Sequence, residues 1–562
     1  MSGFDLSRMT RRGVLATGSA LPLVGWSGFA RAQDQDSALA DAVDAYVRQA
    51  MAAWPDQPAL GIAMVKEGRT VMARGYGVRQ QGTETPADEN TLFAVASNTK
   101  AMTAALLAML VDEGKVAWDA PVRTYLPGFT LSDPVIGERI TVRDTLSHRA
   151  GFGLGAGDLL FWPNSDRTRA EIMAAVPHVP IEHGFRAGYH YCNLMFVVAG
   201  EIIAAVEGRP WEEVLQARIL DPLGMARTVP LTSMAQAELS ALPHGRVGPP
   251  LRYQGPMTLL SESIPGIWNW DSAGAAGGVC TSPVEWAEWM KTQLAQGVAP
   301  SGTRLWSEAQ ATEMWRPNII TNSSPGPTAE LPGRAIASTY AMGWSVQDYR
   351  GERLVSHGGG SPGGISATLL IPGRRTGVSI FSNAEESFLL RALRSGLTDI
   401  AMDKAGFDWI ADSKRLEAEG NARSITAAAE IEARQAAGAA PSLPLEAYAG
   451  TWRDPWYGDV IIEEVMEVQI AHSRRGPIPS VGDSDIERGL RLSFTRTPAL
   501  QGPLEAFEGE TFRTRFLDRR EEDTFVTFEL ENGRPVRATM RAVSPDADFS
   551  YDFHDLRLVK VT

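Results

Sequence analysis

Phe93-Ala94-Val95-Ala96-Ser97-Asn98-Thr99-Lys100 runs directly into Ala101-Met102-Thr103-Ala104-Ala105-Leu106-Leu107-Ala108-Met109-Leu110, and the rest of the chain is read outward from it. Met102, Leu106, Met109 and Leu110 recur at helical spacing and Gly114 closes the run, which predicts a buried helix with Ser97 and Lys100 in its first turn. A separation of three places the hydroxyl and the amine on one helical face, within mutual reach. A serine hydroxyl is a poor nucleophile until a neighbour takes its proton, and a lysine can take it only when neutral. Burial and the positive end of the helix dipole both push the amine toward that form. Ser97 is therefore a candidate nucleophile and Lys100 a candidate base. Ser-x-x-Lys also arises by chance in a long chain, so its companions decide the reading.

Upstream, residues 60–65 and 70–75 are strand-like runs around Lys66-Glu67-Gly68-Arg69 and predict a hairpin. Residues 37–51 carry helical periodicity. The chain opens with Arg11-Arg12, a short weakly apolar run over 14–30 containing Pro22 and several glycines, and Ala30-Arg31-Ala32. That order reads as a twin-arginine export signal over 1–32, with the mature protein starting near Gln33 in the periplasm. The Pro and Gly content argues against a structural helix there, and no stretch is apolar enough over a sufficient length to span a bilayer.

Downstream, Tyr191-Cys192-Asn193 lies in a loop entering an apolar helix over 194–205. A phenol beside an ammonium has its anion favoured, so Tyr191 can shuttle a proton to a leaving group. Asn193 offers an acceptor and a donor to a substrate amide. His148, in Leu146-Ser147-His148-Arg149-Ala150-Gly151, reads as a helix-end histidine bonded to backbone. Gly274-Ala275-Ala276-Gly277-Gly278 is too small for core and suits backbone passing near a cavity. Ser282-Pro283-Val284-Glu285 reads as a capping box opening a helix that ends near Gly297. The third chemical stretch is Ser356-His357-Gly358-Gly359-Gly360-Ser361-Pro362-Gly363-Gly364 between strands. Its glycines let backbone amides approach a substrate and complete an oxyanion hole with the Ser97 N–H, and His357 stands at the edge as donor or electrostatic clamp. The same stretch contains G-x-S-x-G around Ser361, but here it leads into a strand rather than a helix, which rules Ser361 out as a nucleophile elbow.

Ser97-x-x-Lys100, Tyr191-x-Asn193 and His357-x-Gly359, in this order, resemble the motif set of the penicillin-recognising serine hydrolases, nearest the class C β-lactamases with their D-aminopeptidase, carboxypeptidase and esterase relatives. Leu146-x-His148-x-x-Gly151, Leu223-Gly224-Met225 and Gly343-Trp344 fall where that family carries similar signatures. The resemblance covers about 37–405. It implies an α+β fold in which an antiparallel sheet is flanked by helices and faces a helical lobe, with the site between them. It further implies Ser97 as the acylated nucleophile, Lys100 and Tyr191 as the proton-transfer pair, and Asn193 as a substrate-amide contact. His357 and Gly359 would line the third wall, with the Gly360 amide in the oxyanion hole. One departure stands out. The β-lactamases carry Lys-Thr-Gly where this chain has His357-Gly358-Gly359, and losing the cation and hydroxyl weakens the hold on a penicillin carboxylate.

Residues 414–443 are rich in Ala and Glu and end in Ala439-Ala440-Pro441-Ser442-Leu443-Pro444, which reads as a helical linker with an extended tether. It separates a hydrolase domain over 33–413 from a small all-β barrel over 444–562. In the latter, 524–531, Asn532-Gly533 and 534–543 form a strong hairpin signal. Gly450-Thr451-Trp452 resembles the lipocalin G-x-W, and a lid or assembly role is expected for this domain. With 562 residues, two domains are the natural expectation. The formal charge of -14 argues against nucleic acid or an anionic membrane as partner. The histidines show no metal-ligand spacing, and neither a metal nor any other cofactor is expected. Cys192 and Cys280 read as small buried thiols. The sequence thus points to an exported serine hydrolase acting on amide bonds of short, D-residue or otherwise unusual peptides. A carboxylesterase or weak β-lactamase is the alternative within the same chemistry, and a binding protein on a dead hydrolase frame the alternative outside it.

Overall fold

The computed structural model describes residues 24–248, 254–262, 269–404, 406–467 and 487–561, with the backbone alone over 24–34 and at 467, 487 and 488. Its centre is a strand whose two faces are both covered. Strand β1 (Ala59–Lys66) is buried along almost its whole length. Its Leu60, Ile62 and Met64 join one apolar cluster, while Ala59, Ala63 and Val65 join another on the opposite face. An antiparallel sheet usually leaves one face wet. Here helices cover both, and the strand reads as a continuous apolar run.

β1 and β2 (Arg69–Gly77) form the expected hairpin. The sheet continues with β3 (Ile319–Ser323), β4 (Ala337–Tyr340), β5 (Ser345–Tyr349), β6 (Glu352–Ser361), β7 (Gly364–Ile371) and β8 (Thr376–Ser382), in the order β2-β1-β8-β7-β6-β5-β4-β3. Three helices position the site or close the sheet: α1 (Val24–Ala53), α2 (Thr99–Asp112) and α3 (Leu194–Glu207). α4 (Pro283–Leu294) packs on β1, β2 and β8, whereas α5 (Ser387–Ala401) packs with α1 over β7 and β8. α2 is buried on every side from Thr99 to Leu110, as expected of a helix running through a core rather than over one.

Four expectations change. The arginine pair lies outside the described residues, but the backbone is already helical from Val24 and stays so through 30–33 to Ala53, against the reading that Gly and Pro content keeps this region from forming a helix. Ser282 makes no capping bond; Glu285 instead accepts from the N–H groups of Arg227 and Thr228 and from the Thr228 hydroxyl, so its carboxylate joins two distant segments. Gly274–Gly277, read as too small for core, is a fully buried short helix. The linker is not a tether. α6 (Trp409–Ala437) packs along α5 and against the barrel, where Glu432 accepts from Arg513 at 2.7 Å and Arg515 at 2.9 Å, and Ile431 meets Phe507, Phe525 and Val543. Beyond it the chain stays tied down, with Ala439 O accepting the Gly509 N–H and Ser442 N–H donating to Glu510.

The C-terminal domain is a closed antiparallel barrel of β9 (Gly450–Asp454), β10 (Gly458–Glu467), β11 (Glu487–Phe494), β12 (Gln501–Glu508), β13 (Thr511–Thr514), β14 (Thr524–Glu531), β15 (Arg534–Ala542) and β16 (Leu558–Lys560). The β14–β15 hairpin turns at Asn532-Gly533 as expected, and both turn residues take positive φ. Trp452 is fully buried and donates its indole N–H to Tyr448 O. Between β15 and β16, residues 543–557 leave the barrel and reach the hydrolase domain.

Gly396 on α5 faces Tyr46 of α1, and a Cβ added there would lie 2.1 Å from the Tyr46 ring. Alanine gains about 1 kcal/mol of helix propensity, but overpacking costs about 1–3 kcal/mol. Gly396→Ala is therefore expected to lower the thermal unfolding midpoint despite being the better helix former, and an unchanged or raised midpoint would refute this packing.

Candidate active site

Ser97 does not sit in the first turn of α2 proper. It lies in a short 3-10 turn, Ala96–Asn98, that runs into the helix at Thr99. Ala96 is held at φ +46°, a costly conformation for a residue with a Cβ, and it immediately precedes the candidate nucleophile. β5 stops pairing with β6 at Ser345↔Ser356, so the edge of β6 beyond that point is free to face this turn. Ser366 on β7 fastens the arrangement by donating to Val95 O at 2.8 Å and accepting from the Asn98 amide at 2.8 Å. Gly359 is required by close approach, since a Cβ there would stand 2.1 Å from Val95 O.

Lys100 is completely buried. Its Nζ lies 2.9 Å from Ser97 Oγ, 2.7 Å from Asn193 Oδ1 and 2.8 Å from Ala276 O. Two of these neighbours only accept, so a neutral amine donates its two N–H groups to them and turns its lone pair toward the Ser97 hydroxyl. Burial lowers the Lys100 pKa to about 7, while Asp158 pulls weakly the other way. Lys100 forms no ion pair among the described residues.

Tyr191 and Asn193 both reach the site, Asn193 as the residue preceding α3. Lys100 Nζ lies 4.9 Å above the centroid of the Tyr191 ring, over its face rather than at its oxygen. The expectation of a favoured phenolate is not met. Burial holds Tyr191 well above the ordinary phenol range, and the hydrogen bond with Ser97 lowers it too little to compensate. Asn193 lines the cavity, yet both ends of its amide are engaged within the protein, by Lys100 and by Asp158 Oδ2 at 2.8 Å. His357 also faces the cavity, with Tyr340 Oη 2.8 Å from Nε2 and Gly358 O 2.6 Å from Nδ1. Burial and then Lys100 push His357 down to about 3, so it is a neutral hydrogen-bonding group and not an electrostatic clamp. His148 bonds to backbone as expected, accepting from the Cys192 N–H at 3.1 Å, and its ring lies 4.0 Å from that of Tyr191. Both cysteines are free and buried.

These groups surround a cavity of about 270 Å³, lined by Ser97, Tyr191, Asn193, Tyr340, His357 and Phe549 among others. Among the described residues no lysine or arginine lines it, and the one carboxylate is Asp548 from the barrel domain. Among the described residues no group of three or more His, Cys, Asp or Glu is arranged to hold a metal.

Residues 43–400 match the Beta-lactamase family. The chain belongs to that family. Residues 434–560 match a domain of unknown function (DUF3471). The chain is 30% identical over 446 residues to an unguisins hydrolase of Aspergillus campestris, covering 74% of this chain and 76% of that one. It is 27% identical over 330 residues to penicillin-binding protein 4 of Amycolatopsis lactamdurans, covering 58% and 81%. In structure it resembles the octameric penicillin-binding protein homologue of Pyrococcus abyssi (TM-score 0.51, 19% identity, 92% of this chain and 99% of that one). It also resembles the D-amino acid amidase of Ochrobactrum anthropi SV3 complexed with L-phenylalanine amide (0.52, 22%, 66% and 98%). These two likenesses are of fold. The protein is a serine hydrolase of the β-lactamase fold with a C-terminal barrel.

Two contributors had no signal in the sequence, Tyr340 and Asp158 with its barrel partners, whereas the Ala276 carbonyl lies in the small-residue stretch read as backbone passing near a cavity. Each joins the site through contacts between segments far apart in the chain.

For Lys100 as the candidate base the neutral amine is the competent form, so kcat/KM is expected to rise with pH through about 7 and then level. Lys100→Arg, which cannot lose its proton, should lower kcat by about 10²-fold or more across that range. A profile flat from pH 5 to 9 in the parent protein would exclude this base.

Proposed function

We propose that this β-lactamase-family hydrolase cleaves the amide bond of short peptides or amino-acid amides, including those with D- or unusual residues, through an acyl-enzyme on Ser97. The observation that carries the reading is the Lys100 amine, 2.9 Å from Ser97 Oγ and otherwise surrounded by acceptors. Lys100 takes the Ser97 proton as Oγ attacks the substrate carbonyl carbon. The Ser97 and Gly360 N–H groups hold the developing oxyanion. The Tyr191 phenol protonates the leaving nitrogen and is itself reprotonated by Lys100, so no net charge is left behind when the amine departs. Water then attacks the ester by the reverse sequence, returning the proton to Ser97.

The lining supports amides over penicillins. A penicillin carries a carboxylate, and the described lining of this cavity, with Asp548 at its wall and neither lysine nor arginine among the described residues, offers that group no counter-charge. A substrate with a free amine or no charge suits it better. The unguisins hydrolase and the D-amino acid amidase among the similar proteins agree with amide cleavage. A dead frame used only for binding has no need of a buried amine tuned to about 7. Residues 10–33 support the further reading that the enzyme is exported by the twin-arginine route to the periplasm.

Incubation with a fluorophosphonate probe and peptide mass mapping should place the adduct on Ser97, and Ser97→Ala should lose turnover while keeping the fold. In a panel of D- and L-amino-acid amides, short peptides, p-nitrophenyl esters and a chromogenic cephalosporin, amides should exceed the cephalosporin in kcat/KM by about 10²-fold or more. A cephalosporin or an ester as the best substrate would overturn the amide reading. Separately, replacing Arg11 and Arg12 together by lysine should leave the protein in the cytoplasmic fraction; unchanged recovery from the periplasm would refute twin-arginine export.

A further inference from the structure

The side chains behind Lys100 continue past Asn193 and cross into the other domain. Asn193 Nδ2 donates to Asp158 Oδ2 at 2.8 Å. Ser550, from the segment between β15 and β16 of the barrel, donates its hydroxyl to the same Oδ2, also at 2.8 Å. Two residues on, the Asp552 carboxylate accepts from the N–H groups of Gly157 at 2.6 Å and Leu159 at 3.0 Å, the residues on either side of Asp158. Asp158 and Asp552 are fully buried and Ser550 nearly so. We propose that Ser550 and Asp552 of the barrel are positioning residues for the catalytic lysine, acting through Asp158 and Asn193, so that the hydrolase site is complete only with the C-terminal domain docked. This rests on Ser97 and Lys100 being the acylating pair.

The argument is one of amide orientation. An asparagine amide has two orientations of nearly equal shape that exchange its oxygen and its NH2. With the oxygen toward Lys100, Asn193 accepts an N–H and leaves the amine lone pair to Ser97. With the NH2 toward Lys100, Asn193 donates into that lone pair and competes with the Ser97 proton. Lys100 alone cannot enforce the first orientation, since a neutral amine tolerates either. Asp158 can, because Oδ2 is an acceptor placed where the NH2 must point. A carboxyl group turns easily about its terminal torsion, so something must hold Oδ2 in place. Ser550 fills the second acceptor site of Oδ2, and Asp552 pins the backbone of the residues flanking Asp158.

The charge state agrees. Burial pushes Asp158 up to about 8, against the hydrogen bonds from Asn193 and Ser550 and the pull of Lys100, and with a further push from Asp548. Burial, then Asp158 and Asp555, raise Asp552 well above the carboxylate range. At neutral pH Asp158 is mainly the acid. Its Oδ2, holding two donors, is the carbonyl oxygen, and its Oδ1, which has no hydrogen-bond partner among the described residues, is where the proton resides. A neutral acceptor is what the relay needs, because an ionised Asp158 would draw Lys100 toward its ammonium form.

The test measures the maximal rate and half-saturation of Ser97 labelling by a fluorophosphonate probe on the full-length chain and its variants. Ser550→Ala should label about tenfold more slowly at unchanged half-saturation, and Ser550→Thr, which keeps the hydroxyl, should return to within about threefold of the parent. Asp158→Asn keeps a neutral carbonyl acceptor and should stay within about threefold, whereas Asp158→Ala should lose about 10²-fold. A role in fold stability alone would lower the unfolding midpoint without separating the alanine from the conservative variants in labelling rate. Ser550→Ala labelling at the parental rate, on a parent labelled at Ser97, would overturn the positioning role while leaving the acyl-enzyme intact. If Asp158→Ala does not fold, Ser550→Ala and Asp158→Asn decide. A parent never labelled at Ser97 would overturn the acyl-enzyme reading and this inference with it.

Discussion

A buried lysine amine that has no carboxylate at ion-pair distance among the described residues is the constraint to which the surrounding structure is fitted. Water would hold such an amine as an ammonium, and removing it from water without a counter-charge is costly enough that the proton leaves instead. Everything in contact with Lys100 is compatible with that outcome. Asn193 and Ala276 supply neutral acceptors, the Tyr191 and Phe196 rings cover the amine at 4.9 and 5.2 Å, and the nearest acid, Asp158, is itself pushed toward its neutral form. One ionised carboxylate placed at hydrogen-bond distance would restore the ammonium and, on the proposed mechanism, leave Ser97 without a base.

The fold supplies this environment through lengths and edges. α2 is apolar on all sides, so its first residues enter the core instead of solvent, and Thr99 and Thr103 bind the 275–279 segment whose Ala276 carbonyl meets Lys100. β6 is ten residues long and β5 only five, which leaves the end of β6 unpaired on the side of Ser97. A sheet edge is normally a liability to be covered. Here the 96–98 turn covers it, and the tight approach is what demands glycine at 359 and tolerates the unfavourable φ at Ala96.

What could be read from the sequence was the part of the site that is local in the chain. Ser97 and Lys100 are three residues apart, and the helical period of 102–110 announces both the element and its burial. The β1–β2 hairpin and the Asn532-Gly533 turn were legible for the same reason. Charge states were not. Placing a phenol near an amine suggests a phenolate only if the amine is charged, and the pattern of residues does not say that both are buried. The same blindness affected His357, whose neutrality comes from burial that three following glycines disguise as an exposed loop. The capping box failed differently: Ser282-x-x-Glu285 satisfies the local rule, but Glu285 is claimed by Thr228, 57 residues away. Asp158 was the hardest to see. Its partners sit 35 and 392 residues distant, and nothing nearby marks an aspartate there as more than a loop residue.

On the proposed positioning role, the two domains meet at a place that gives the barrel a hold on both selectivity and rate. Asp548, Phe549 and Ser550 line the cavity, and Ser550 and Asp552 also bind Asp158 and its flanking backbone behind Lys100. Such a short segment, fixed at one end by the buried contacts of Asp552, has little freedom to move its cavity-facing residues without disturbing its inward-facing ones. A displacement of 1 Å at Phe549, enough to admit a larger side chain, would be passed to a 2.8 Å hydrogen bond at Ser550 and weaken it steeply. On this arrangement substrate scope cannot be widened at that wall without loosening the lysine. The helix from Trp409 to Ala437 packs against both domains instead of hanging between them, and so fixes the barrel in this place.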